Sequence, residues 1–485
     1  MDILILVYNE VFRMIFEDFC RTPQRYTVAL LGFGRANRAV ADWLISRGGS
    51  ATVYADLPIE AALCEQYLVR GIRFAPVGIP DELGESVLVR SPVIRPDHPA
   101  ILRALARGGL LTSETELFLA EAPATVIGVT GSDGKTTTAT LTARLLEAAG
   151  QRTWLGGNNG TPLLPRVCEM RQGDLAVLEL SSFQLMTLQK PPAVAVMTNL
   201  CENHLNWHTD MAEYTAAKCR IFGAHTRLVA NADNALLREA IGGHVGETLL
   251  FSALREWDDL PSGRVYPQGD RVVVERRGVR CTFPCLDVFR LPGRHNLENL
   301  LAAVGAAAPW LTEDAPRRAL ADFSGVAHRL QYVGKAGGVS YYNSSIDTTP
   351  TRTAAALAAI GCRPIVILGG RGKGLSYQPL VAALQRHAKA ACLYGETAAE
   401  IAAVLPQDFS YIRCTRFEEA FSAAAHLAEV GDSVLLSPAC TAFDAFPDFA
   451  ARGDAFCQLV KERIKHVGTE GSDPRRGGAD EHYGP

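Results

Sequence analysis

Apolar runs and helical periodicities alternate along most of this chain, the pattern of parallel strands joined by covering helices. Three blocks follow from it. The first, 26–120, opens with TVALLGFGRANRAVADWLISRGG and then TVYAD, which reads as strand, glycine turn, helix, strand. The second, 121–322, opens with TVIGVTGSDGKTTTATLTARLLEAA, an apolar strand running through a glycine turn into a helix. In that helix Leu141, Leu145, Leu146 and Ala149 fall on one face, and Gly150 is placed to end it. The third, 323–466, carries the strand-like runs PIVILGG and SVLLSPA, with Asp322 to Gly325 as a linker before it. Residues 1–25 are an extension whose apolar run is broken by Glu10, Arg13, Glu17 and Asp18. With no basic start and no cleavage site it reads as an amphipathic helix or an upstream start, and as neither signal peptide nor membrane span. The polar, glycine-rich stretch 467–485 is expected to be a disordered tail.

Composition changes this picture little. A chain of 485 residues suggests about three domains. A net charge of −4 without a basic stripe argues against nucleic acid as a partner. The twelve cysteines are scattered, and Cys281 and Cys285 lack a second pair to complete a metal site. They read as reduced thiols of a cytoplasmic protein, and a monomer is expected.

The candidate chemistry starts at the second block. Gly131, Ser132, Asp133 and Gly134 form a turn whose backbone N–H groups can cradle phosphates. Lys135 would neutralise phosphate oxygens, and the hydroxyls of Thr136 and Thr137 open the helix, Thr136 within reach of Mg²⁺. ATP use follows. Glu179 ends a strand-like run beside this loop, where a carboxylate suits Mg²⁺, or is a solvated strand-end residue. Further on, Asn199, Glu202, Asn203, His204 and His208 crowd a turn, and Lys218 follows on a helix. The two histidines at i, i+4 suggest zinc, but no further ligands are assignable, so a Mg²⁺ role for His204 is preferred. Asn296 and Asn299, one turn apart, either face a nucleotide or cap and pack. Arg329 grips phosphate or forms a surface pair, and Lys373, after a glycine turn, binds an anion or is solvated. In the first block, Asn37 stands where a dinucleotide fingerprint has its third glycine, and Asp56 ends the second strand.

With these segments in order, the chain resembles the Mur ligases over about 28–464. The carrying motifs are TGSDGKTTT, LELSSFQL, LGGN-x-GTPLL, GRHNLEN and SPAC-x-x-FD-x-F-x-x-F-x-x-RG, and YYNSSIDTTPTRTAAALAAI is similar to a clostridial-like branch. The resemblance implies an α/β fold of three domains: a Rossmann-like N-terminal domain, a central P-loop ATPase-like parallel sheet and a Rossmann-like C-terminal domain. It implies ATP-dependent joining of D-glutamate to UDP-N-acetylmuramoyl-L-alanine through an acyl phosphate, with Mg²⁺, in peptidoglycan precursor synthesis. By this pattern Lys135, Glu179, His204 and Lys218 are catalytic, with Thr136, Glu179, His204 and a carbamate on Lys218 near metal. Asn296, Asn299 and Arg329 join the loop in binding ATP. Gly34, Arg35, Asn37, Asp56, Asn159 and Ser181 hold the uridine substrate, and Thr348, Lys373 and Phe449 line the glutamate site.

The sequence departs from the pattern at five places. Ser344 replaces an aspartate that helps bind ATP, with Asp347 three residues on as a substitute; Ile346 replaces a lysine of many members. Ala442 replaces a serine that contacts the glutamate carboxylate, Asn206 an aspartate and Val93 a glycine. Two other readings stay open: a related amide ligase for another amino acid, and a degenerate nucleotide-binding regulator.

Overall fold

The computed structural model describes residues 13–158, 160–205, 207–254, 263–291 and 293–470. The chain divides into two compact units, Met1–Phe323 and Ser324–Pro485.

The first unit contains two sheets. One is a 5-stranded parallel sheet in the order Ile72–Phe74, Ala51–Tyr54, Val28–Leu31, Val87–Arg90, Leu110–Thr112. Its two inner strands, VALL and VLVR, are buried at every position. That is why, Arg90 apart, they read as apolar runs: helices cover both faces of such a sheet. The extension contributes to this core. Its described part, helix 13–21, buries Phe19 completely, with the rings of Tyr26 and Trp43 at 5.5 and 5.8 Å. The more apolar run 1–12 lies outside the described residues.

The other is a 9-stranded sheet. Its parallel part runs Thr153–Gly157, Leu175–Glu179, Thr125–Thr130, Val194–Met197, Arg227–Asn231, Thr248–Phe251, Gly263–Gln268. Strands Arg271–Arg276 and Val279–Pro284 then add as an antiparallel meander, a feature the sequence reading does not single out. Helices Lys135–Ala148 and Arg294–Ala307 share the core on one face of this sheet through Leu141, Leu145, Leu300 and Val304, all fully buried.

The second unit has a 6-stranded sheet in the order Gln331–Ala336, Val339–Asn343, Ser433–Leu436, Ile365–Gly369, Ala390–Tyr394, Tyr411–Arg413, antiparallel only at its first pair. Helix Phe449–Glu470 closes the unit and continues past 466 into the segment read as a disordered tail. Residues 471–485 lie outside the described residues. No helix among the described residues is long and apolar enough to cross a membrane, and all twelve cysteines are free thiols.

Candidate functional site

Open α/β sheets bind ligands beyond the carboxyl ends of their strands, and the candidate residues of each unit gather at such ends. In the first unit strand Thr125–Thr130 delivers the chain into the turn Gly131–Gly134 and helix Lys135–Ala148. Gly131 and Gly134 have φ of 152° and 77°, and a Cβ on either would collide with Thr198 Oγ1 or Asn299 Oδ1. Only glycine meets both demands. The turn is braced from the neighbouring strand end. Thr198 Oγ1 donates to Asp133 O (2.5 Å), Asp133 N donates to Asn199 Oδ1 (2.9 Å), and Ser132 Oγ meets Tyr214 OH (2.9 Å). Thr136 and Thr137, half-buried, occupy the first helical turn.

Two lysines converge on this turn. Lys135 Nζ donates to Gly131 O (2.9 Å) and Ser132 O (2.7 Å), while Lys218 Nζ donates to the same Gly131 O (2.7 Å) and to Thr130 Oγ1 (3.4 Å). Lys218 is 1% exposed. Burial, and then the neighbouring positive charge of Lys135, hold its pKa well below the ordinary lysine value.

Glu179 is placed by register, pairing with Val129 on one side and Gly157 on the other. It is 3% exposed; Oε1 accepts from Asn158 Nδ2 (2.9 Å), while the buried Oε2 has no hydrogen-bond partner among the described residues. A buried, unpaired carboxylate oxygen is costly unless something cationic completes it. Oxygen donors from Glu179 and Thr136, with phosphate and water as the rest, match the preference of Mg²⁺ for few protein ligands. The residues present thus fit that ion. No group of three or more His, Cys, Asp or Glu side chains suited to a metal occurs among the described residues, so the zinc reading of His204 and His208 has no support. His208 instead engages Ser182 and Glu213 through its two ring nitrogens. His204 is exposed, in left-handed backbone (φ 56°), its ring 5.0 Å from that of Phe183. Such a conformation costs about 1–3 kcal/mol and is held only where the surroundings demand it.

Asn299 is nearly buried against the turn: Thr138 Oγ1 donates to its Oδ1 (3.2 Å). Asn296 is half-buried one turn earlier on the same helix. Ser181 caps helix Ser182–Leu185 in a reciprocal arrangement with Gln184. Gly34 and Arg35 are exposed at the start of helix Arg35–Ser46, Arg35 Nη1 donating to Gly160 O (3.3 Å), and Asp56 is exposed beyond strand Ala51–Tyr54. Asn37 has a different task from the one its motif position suggests. It is fully buried, and its Nδ2 donates to the carbonyls of Leu31, Gly32 and Val89 at 2.8, 2.8 and 3.2 Å. It ties the glycine turn to two strand ends from beneath, which leaves its amide nitrogen nothing for a ligand. Asn159 and Asn206 lie outside the described residues.

In the second unit, the loops after three adjacent strands come together. Lys373 Nζ donates to Thr348 Oγ1 (3.1 Å), and the Phe449 carbonyl accepts from Ser345 Oγ (2.7 Å). Beneath them Arg452, 0% exposed, donates to Ser345 O, Thr441 O and Cys440 O at 3.0–3.1 Å. Arg329 is exposed between His328 and Leu330, both left-handed at φ 61° and 42°. Ser344, 1% exposed, uses its hydroxyl to accept from Leu330 N (3.1 Å), so it braces the Arg329 loop. Asp347, 8% exposed, accepts from Ser437 Oγ (2.9 Å). Burial raises its pKa, against which Arg329 and Arg352 act.

Sequence reasoning missed Asn158, Arg90, Arg95 and Arg452. Arg90 is fully buried and donates to Pro92 O, Ile94 O and Phe183 O at 3.0, 2.7 and 2.7 Å, fastening the end of one sheet to the helix beside Ser181. An arginine in VLVRSPVIRPDHP carries no local mark of a partner 93 residues away.

Comparison with known proteins agrees with this geometry. Residues 129–307 match the Mur ligase middle domain, and 328–440 the Mur ligase glutamate ligase domain. The chain is 38% identical over 463 residues to a UDP-N-acetylmuramoylalanine–D-glutamate ligase of Ruminiclostridium cellulolyticum, spanning 92% of this chain and 98% of that one. A ligase of the same name from Acetivibrio thermocellus is 39% identical over 462 residues, with the same coverage. Among solved structures, UDP-N-acetylmuramate-alanine ligase MurC from Thermotoga maritima aligns over 90% of this chain and 99% of that one with TM-score 0.51 at 18% identity, which shows the shared fold. On these matches, this chain belongs to the Mur ligase family.

Proposed function

We propose that this protein joins D-glutamate to UDP-N-acetylmuramoyl-L-alanine in the cytoplasm, cleaving ATP to ADP and phosphate. The observation that carries the reading is the pair of relatives of that name, each 38–39% identical over 92% of the chain, taken with the phosphate turn built around Lys135, Glu179 and Lys218. A carboxylate is a poor electrophile, so the γ-phosphoryl group is first transferred to the muramoyl-alanine carboxylate. The glutamate amine then adds to the acyl phosphate, and phosphate leaves. Both partners are anionic, and offsetting that repulsion is the largest task of the site. Lys135 and the turn's N–H groups hold the ATP phosphates; Asn296, Asn299 and Arg329 hold the rest of the nucleotide. Thr136 and Glu179 hold Mg²⁺, which supplies charge neutralisation for phosphoryl transfer. His204 would stand near a second ion, as the family resemblance implies.

Lys218 acts as its carbamate in this reading. Its depressed pKa favours the neutral amine, the form that adds CO₂, and the carbamate would offer oxygen to a metal. Gly34, Arg35, Asp56 and Ser181 hold the uridine substrate; Thr348, Lys373 and Phe449 receive glutamate. Phosphate release is the test, with Mg-ATP and UDP-N-acetylmuramoyl-L-alanine plus D-glutamate, L-glutamate or neither. Release that depends on D-glutamate is expected. Release with another amino acid, or none with any, overturns the reading.

A further inference from the structure

One array in the first unit, buried at Ser182 and His208 and partly exposed at Glu213 and Arg95, has no part in this chemistry. His208 Nε2 lies 2.9 Å from Ser182 Oγ, and His208 Nδ1 lies 3.2 Å from Glu213 Oε2. Glu213 in turn accepts from Arg95 Nη2 (2.8 Å) and from Thr209 N (2.9 Å), and Arg95 Nη1 donates to Trp207 O (2.6 Å). The order serine, histidine, carboxylate is that of a hydrolase triad, but Ser182 and His208 are each 2% exposed. No substrate reaches that hydroxyl, so a nucleophilic role is excluded.

The donor pattern is nevertheless fixed. Arg95 keeps Glu213 anionic, pulling its pKa to about 2. A carboxylate only accepts, so His208 Nδ1 carries the proton. Burial favours the neutral ring, so Nε2 is an acceptor and Ser182 Oγ–H donates to it. The groups so joined lie on three elements: Ser182 is three residues after Glu179, His208 closes the turn containing His204, and Glu213 shares helix Met211–Cys219 with Lys218.

We propose that His208 is a positioning residue: as the Nδ1–H tautomer it links the Ser182 hydroxyl to Glu213, and so sets the spacing between the strand end bearing Glu179 and the helix bearing Lys218. The proposal rests on the ligase reading of those two residues. The link's effect falls mainly on the chemical step, because Glu179 and Lys218 serve phosphoryl transfer, while the turn keeps its own braces from Thr198, Asn199 and Lys135.

Kinetics of the full chain test it, with wild-type D-glutamate-dependent phosphate release as the control for the ligase reading itself. His208→Phe keeps a ring among Phe183, Trp207 and Tyr214 but removes both hydrogen bonds. Its kcat is expected to fall about 10- to 100-fold with KM for ATP within about twofold, as for loss of interactions made in the transition state. Ser182→Ala should fall similarly, and the double variant no further than either single one, because both act through one link. Additive losses, or wild-type kcat in His208→Phe, overturn the proposal. The wild-type tautomer gives a readout independent of variant folding and of ligase activity: side-chain ¹⁵N NMR should show His208 neutral and protonated on Nδ1. An Nε2–H ring also overturns it.

Discussion

Around the phosphate turn of the first unit, Glu179 and Lys218 are buried, and Lys135 and Lys218 donate to the turn's own carbonyls. Lys218 and Glu179 are 1% and 3% exposed, and Gly131 and Gly134 admit no Cβ. At the loop cluster of the second unit, Lys373 and Arg371 are exposed, while the backbone is held from below by the buried Arg452. A change in the first region therefore moves the turn itself, whereas a change in the second alters one contact and leaves the loops in place. Of the five departures from the family pattern, Ser344, Ile346 and Ala442 belong to the second unit; of the two in the first, Val93 is 68% exposed and Asn206 lies outside the described residues.

The largest expected effect lies at Lys218. Lys218→Ala should lower phosphate release by about 100- to 1,000-fold, the scale on which loss of one preorganised electrostatic group is felt. Added acetate or another small carboxylate should restore part of it by supplying the missing anionic oxygen. Full activity in the unsupplemented variant would remove the carbamate from the reading. At the second region the same experiment should give a different kind of loss. Lys373→Ala removes one charged contact worth about 1.5–3 kcal/mol, so KM for D-glutamate should rise about 10- to 100-fold while phosphoryl transfer continues. A fall in kcat with unchanged KM would erase the contrast between the two regions.

The two regions also differ in how far the sequence revealed them. A phosphate turn is legible because strand, glycines, Lys-Thr and amphipathic helix are contiguous, and each obeys a local rule. Glu179 was legible for the same reason, since it ends an apolar run. Asn37 was legible only in part: its place in the motif is local, but its burial depends on the strand end at Val89. Arg90 and Arg452 were illegible because they bond mainly backbone carbonyls, which no residue type announces, and Arg95 because, beside the nearby Asp97, its partners Trp207 and Glu213 lie more than a hundred residues away. The meander 263–284 escaped because short β-rich runs with polar turns look alike whether or not they pair.

Burial in the first unit also sets a dependence on pH. Glu114 and Glu116, on the first turn of helix Glu114–Glu121, accept from Leu164 N (3.4 Å) and Gln189 N (2.8 Å), and burial pushes each pKa to about 7. A carboxyl raised in the folded state binds more protons there than in the unfolded chain, so its contribution to stability falls as pH rises from about 4.5 to about 7. Glu116→Gln lacks that titration. Relative to wild type, its Tm should rise across that window, by a few degrees for ~1–3 kcal/mol. A pH-independent difference in scanning calorimetry contradicts the assignment.

The smallest effect is the most informative about the second region. Ala442 is 2% exposed, in the loop that Arg452 fastens at Cys440 and Thr441. Ala442→Ser adds a single hydroxyl to a backbone already in place, so no reorganisation offsets the new hydrogen bond. One such bond to a carboxylate is worth about 0.5–1.5 kcal/mol or somewhat more. KM for D-glutamate should therefore fall a few-fold, with kcat and KM for ATP unchanged. If KM stays constant, the hydroxyl at 442 has no ligand carboxylate to meet, and the amino acid sits elsewhere among these loops. If kcat changes instead, the loops are not independent of the chemistry, and the division between a committed first region and a tolerant second one fails.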